Sequence, residues 1–245
     1  MLPMVHGTGF KGNHIMPIAD LVRYSLWAAI LETAYENRRQ YHMFTTWLPH
    51  LLTNTFTLLL PDLMRVTLPN AHDDTLDKLP EPLDDAALTL TAMIRDNEAY
   101  VVYVAPLALG YILSHPRFNI YRGRMGAIRL AGFGLDALPH SATALAFSAL
   151  VCDTVDTATK KLDNDSPLRP LSEQGSRHPA LVSGVLLSLA TLIWEFGEYL
   201  MYRHEMAQRG DREKINMVWS VDDTVRDAVS NMAGWAVASL VRRKG

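Results

Sequence analysis

Glu195 and Glu198 stand three residues apart at the end of an apolar run, Ala180 to Leu192, which Ile193 and Trp194 extend. Downstream, Asp223, Asp227 and Asn231 follow at four-residue steps. Upstream, Asp136 and His140 are also four apart. On a helix, spacings of three and four put side chains on one face. Carboxylates on helices this apolar must be paired, metal-bound or placed at a water boundary, because a bare buried charge is very costly. Such stripes escape lipid only by facing inward, so the three segments predict one shared polar site. Gly234, near the end of the last stripe, would let two helices approach closely.

The set Asp136, His140, Glu195, Glu198, Asp223, Asp227 and Asn231 is rich in oxygen and carries one histidine. That combination suits a divalent metal ion such as Mg²⁺, Mn²⁺ or Zn²⁺. It equally suits a proton relay, a cation, or the polar head group of a small or lipid-linked ligand. With a metal, the chemistry would be hydrolysis or transfer on a lipid-linked substrate: metal-activated water attacks and Glu198 or Asp227 moves the proton. Structural roles compete for the same residues. Ser220, three residues before Asp223, starts a capping-box-like pattern, so Asp222 and Asp223 would complement a helix dipole. Asp227 could pair with loop arginines, and Glu195 and Glu198 could lie in head-group water. His140 alone would read as a core histidine; the carboxylates around it are what single it out.

A separate acidic run, Asp73-Asp74-Thr75-Leu76-Asp77, matches the DDxxD pattern by which isoprenoid synthases hold magnesium diphosphate, and predicts a soluble helical enzyme as the rival reading. Pro69, Pro80 and Pro82 confine it to a loop or one short helix. Asp222, Asp223 and Asp227 echo the same pattern loosely.

Hydrophobic residues make up 49% of the 245 and charged residues 20%, values between those of a soluble enzyme and a membrane protein with sizeable loops. Distribution along the chain decides between them. Residues 1–43 include an amphipathic stretch from about Ile15 to Met43, suited to a membrane surface or a soluble core. Residues 44–245 hold the apolar runs: Phe44 to Met64, Tyr100 to Leu113, Leu130 to Cys152, Ala180 to Tyr202 and Thr224 to Val241. Arginine-bearing loops separate them, a proline-rich acidic loop occupies 65–98 with a short helix expected over 87–99, and no strand-like alternation stands out. The expected architecture is therefore all-α: a polytopic bundle of about five apolar helices in a lipid bilayer, preceded by an amphipathic helix. Basic residues are spread almost evenly over alternate loops, so they barely orient the bundle.

A net charge of −3 gives no bulk basicity, and nucleic acid is not an expected partner. The single cysteine, Cys152, excludes an intramolecular disulfide and a cysteine-built zinc site. The glycines of GTGFKG lack the GK[ST] ending of a phosphate loop. No charged n-region followed by an unbroken apolar stretch is visible near Met1, so internal helices are expected to direct membrane entry.

The residues Asp136-x-x-x-His140, Glu195-x-x-Glu198 and Asp223-x-x-x-Asp227-x-x-x-Asn231-x-x-Gly234 resemble the YjdF-type bacterial inner-membrane proteins, and more distantly the VanZ-like family. The similarity runs from about Arg117 to Val241. It implies a small polytopic helical protein of the bacterial inner membrane, with no assigned activity, in which those seven polar positions matter.

Overall fold

The computed structural model describes residues 17–67, 81–211, 215 and 219–242. It is built almost entirely of helices: α1 Ile18–Tyr41, α2 Leu48–Thr67, α3 Glu81–Leu90, α4 Tyr100–Ile112, α5 Gly123–Gly126, α6 Ala137–Lys161, α7 Arg169–Arg177, α8 Pro179–Arg209 and α9 Val221–Arg242. The predominantly helical fold agrees with the expectation.

The boundaries depart from the sequence reading in three places. The run from Leu130 does not enter its helix until Ala137. Before it, Arg129–Leu130 and Phe133–Gly134 pair as a short antiparallel hairpin, β1 and β2. Its turn residues, Ala131 and Gly132, both have positive φ (51° and 88°), the backbone that a tight two-residue hairpin turn requires. Within the acidic segment 65–98, the short helix expected over 87–99 instead covers 81–95, ending in one π-turn over Thr91–Arg95. The polar linker after Cys152 supplies the last turns of α6 and all of α7. In the first case, local turn geometry overrides the hydropathy pattern.

Of the described helices, α8 is the one long and apolar enough to cross a membrane by length and composition. Tyr100–Ile112 is apolar but spans only about 20 Å at 1.5 Å per residue, short of a hydrocarbon core of about 30 Å. The other long helices are less apolar: residues such as His50 and Asn54 interrupt α2, His140 and Ser148 interrupt α6, and Asp222, Asp223, Arg226, Asp227 and Arg242 charge α9.

Helices α1, α2 and α4 share a core of Ile30, Ala34, Leu58, Tyr100, Val104, Ala108 and Tyr111. The N-terminal helix is thus packed into the same body as the rest. Beside it, α6 packs along α4, α8 and α9, and the α6–α9 contact is the most extensive. Gly234 makes that approach possible, because a Cβ there would overlap the Ser141 carbonyl oxygen. Ser141 Oγ donates to the Ser230 carbonyl at 2.9 Å across the same contact.

Polar side chains close one end of the bundle. Arg23, 2% exposed, donates to Asp62 at 2.6 Å, to Asp20 at 2.8 Å and to the Leu58 carbonyl. On the neighbouring helices, Arg242 bridges Asp153 at 2.9 Å and Asp156, and Tyr103 donates to Asp153 at 2.5 Å. Removing one partner of a buried ion pair leaves the other charge uncompensated. Arg23→Ala is therefore expected to cost on the order of 3 kcal/mol, read as a lower denaturant midpoint. Wild-type stability in that variant would show the network to be dispensable.

Candidate functional site

The other end of the bundle holds a cavity of about 710 Å³. The C-terminal ends of α1 and α4, the N-terminal halves of α2, α6 and α9, and α8 from Leu187 to Glu205 line it. All seven residues singled out by spacing lie on its wall: Asp136, His140, Glu195, Glu198, Asp223, Asp227 and Asn231.

Local capping sets the phase of each stripe. Asp136 is the N-cap of α6, its Oδ1 accepting from the Ala137 N–H at 3.1 Å. Pro139 fits because it falls in the first turn, where its missing N–H costs nothing. His140, one turn on, faces α9. Ser220 caps α9 by accepting from the Asp223 N–H at 3.2 Å, so the capping expectation holds. The stripe then presents Asp223, Asp227 and Asn231 to α6 and α8. Pro179 starts α8 and Gly210, with φ 65°, stops it, as the asymmetry of helix ends requires.

Specific contacts join the stripes. His140 Nε2 lies 3.5 Å from Asp227 Oδ1. Glu195, buried, accepts from Thr224 Oγ1 at 2.6 Å. Asn231 donates to Thr191 Oγ1 at 3.0 Å, and Trp194 Nε1 donates to Glu198 at 2.9 Å. The charge balance of the wall is lopsided. Asp136, Glu195, Glu198, Glu205, Asp223 and Asp227 supply six carboxyl groups against the single guanidinium of Arg122. In the loop between α4 and α6, Tyr121 lines the same space and donates to the Gly110 carbonyl at 3.0 Å. Burial, reinforced by Asp136, Asp227 and Glu198, raises its pKa, so the phenol keeps its proton.

The opposite wall was not anticipated from the sequence. Asn37, His50, Asn54 and Tyr111 come from α1, α2 and α4. His50 stacks on Tyr111 at 4.9 Å between ring centroids and meets Trp194 at 5.6 Å. Glu205 is fully buried and accepts from Thr45 Oγ1. The only sequence signal for these residues was their polarity within apolar stretches.

A metal centre fits these residues poorly. Among the described residues, no group of three or more His, Cys, Asp or Glu side chains is arranged to hold a metal ion. Glu195 and Glu198 are engaged by a hydroxyl and an indole, and Asp136 by its own helix end. The volume also exceeds what one ion needs and falls in the range of small-molecule sites, about 300–1,000 Å³. The DDTLD run, Asp73 to Asp77, lies outside the described residues.

Comparison of the chain with protein families, curated proteins and solved structures finds no match.

Proposed function

We propose that the chain is an integral membrane protein that holds an organic ammonium group in this cavity. The observation that carries the reading is the six-to-one excess of carboxyl groups over guanidinium on an interior wall.

Membrane residence is supported by an inverted distribution of polarity. Glu205, Asn37, Asn54 and Ser148 are almost wholly buried, while Leu181, Leu192, Ile193, Val229 and Leu240 are exposed. Only 11% of the most apolar window of α8 is buried, whereas a soluble core helix of that composition would be mostly buried. An apolar surface this extensive needs a bilayer or a partner to cover it. The long helices α1, α2, α6, α8 and α9, of 20 to 31 residues, are each long enough to cross it. On α2 the charged residues Asp62 and Arg65 lie near the C-terminal end, and on α6 Asp153, Asp156, Lys160 and Lys161 lie in the last third. This arrangement fits the YjdF-type resemblance and a bacterial inner-membrane location.

An ammonium group suits the cavity better than a metal ion because it needs dispersed acceptors rather than a tight ligand shell. Carboxylates give charge-assisted hydrogen bonds, and the rings of Tyr111, Tyr121 and Trp194 add cation–π attraction. The lipid-linked hydrolase reading draws on the same carboxylates but needs ligand convergence that the wall does not provide.

The test is titration of the purified protein, in nanodiscs of phosphatidylglycerol, with ethylammonium and with acetate by calorimetry. Saturable binding of ethylammonium and none of acetate is expected. Absence of ethylammonium binding would overturn the proposal, as would recovery of the protein in the soluble fraction after alkaline carbonate extraction.

A further inference from the structure

Resting on that reading, we infer that the ammonium group belongs to an amphiphile whose apolar chain leaves the cavity sideways between α2 and α8. The packing of α8 is one-sided. It lies along α6 and α9 but has little backbone contact with α1, α2 or α4. Side chains bridge the gap instead: Thr45 to Glu205, Phe44 to His204 at 5.8 Å, and His50 to Trp194 at 5.6 Å. These pairs run antiparallel, and all belong to the second half of α8. Among the described residues, no hydrogen bond or ring contact joins α2 to α8 beyond His50 and Trp194.

The cavity continues past that last bridge. Its wall changes from Asp136, Glu198 and Asp223 at the loop end to Leu107, Phe147, Leu187 and Ala190 deeper in. Contacts along the helices fix this order. Asp227 lies beside His140, Asn231 beside Thr191, and Trp235 donates to the Ala180 carbonyl at 2.9 Å, so depth along α9 matches descent along α8. Ala190 and Trp194 line the cavity and are exposed on α8, the helix with little backbone contact to α2, so the gap between these two helices is the exit we assign. The outer surfaces of both helices are apolar, with Leu186 and Ile193 exposed on α8 and Phe56 on α2.

A cavity that is anionic at its helix-end pole, apolar in its depth and open toward the apolar surface is complementary to a primary amine carrying a hydrocarbon chain. A free polyamine would match the carboxylates but leave the apolar end and the opening without purpose. An anionic lipid would meet six carboxyl groups.

The experiment is titration of the protein in phosphatidylglycerol nanodiscs with ethyl-, butyl-, hexyl- and octylammonium, subtracting uptake by empty nanodiscs. Burial of each added methylene is expected to raise affinity about fourfold. In Ala190→Trp, which fills the opening, the gain per methylene is expected to collapse. Ethylammonium binding with no dependence on chain length would overturn the amphiphile and leave the ammonium site standing. The same dependence in Ala190→Trp as in wild type would overturn the exit between α2 and α8. Failure of ethylammonium itself to bind would instead defeat the underlying site.

Discussion

Asp227→Asn is expected to weaken ethylammonium binding by about 10- to 100-fold, the range of one charge-assisted hydrogen bond at about 1.5–3 kcal/mol. Asp227 is buried, lies on the cavity wall and has the His140 ring nitrogen at 3.5 Å. The amide keeps one acceptor oxygen and replaces the other with an NH2 donor, so the carboxylate is lost without changing the shape of the wall. Glu198→Gln and Asp223→Asn should act in the same direction, and combining either with Asp227→Asn should reduce affinity further. Glu195→Gln provides the internal contrast. Its carboxylate accepts from Thr224 and ties α8 to α9, so its loss should appear in stability more than in affinity. Calorimetric titration of the four variants separates the cases. Wild-type affinity in both Asp227→Asn and the Asp223→Asn/Asp227→Asn double variant would mean that the acidic wall does not contact the ligand.

Gly234→Ala is expected to destabilise the protein by about 1–3 kcal/mol through overpacking, and Gly234→Val by more. A Cβ at this position would overlap the Ser141 carbonyl oxygen and crowd the Leu145 N–H at 2.9 Å. Both are backbone atoms, which cannot rotate away as the end of a flexible side chain can. Relief requires α6 and α9 to separate, stretching the Ser141–Ser230 hydrogen bond and drawing His140 away from Asp227. The glycine thus links helix packing to site geometry. Unfolding in a denaturing detergent, with ethylammonium titration alongside, should show lost stability together with lost affinity. A stable Gly234→Ala protein would show that the two helices are not held this closely.

The site was more legible in the sequence than the fold. Four-residue spacing on α9 and three-residue spacing on α8 were enough to bring Asp223, Asp227, Asn231, Glu195 and Glu198 to inward faces, because helix periodicity fixes direction without knowledge of partners. Asp136 reached the same cavity by a different route, as a helix cap rather than as a residue within a span. What the carboxylates bond to was not legible. Thr224 and Trp194 are ordinary in sequence, yet they engage the groups that a metal ion would have needed. The second wall was hidden for a similar reason: Asn37 and His50 lie on segments that hydropathy alone reads as interfacial or marginal. The hairpin before α6 rests on two positive-φ residues, one of them an alanine, which carries no turn signal. Among the described helices, α8 alone combines length with unbroken apolarity, because polar and charged side chains interrupt the other long runs.

The central claim is an inverted molecule, with water-accessible carboxylates inside and lipid-facing aliphatic residues outside. Cysteine accessibility in native membranes tests it most directly, in a Cys152→Ser background and with a charged, membrane-impermeant thiol reagent applied to vesicles of both orientations. Glu198→Cys and Asp223→Cys should label, with ethylammonium slowing the reaction, while Ile193→Cys and Val229→Cys should stay unlabelled. Labelling of the latter pair with silence at positions 198 and 223 would contradict the account.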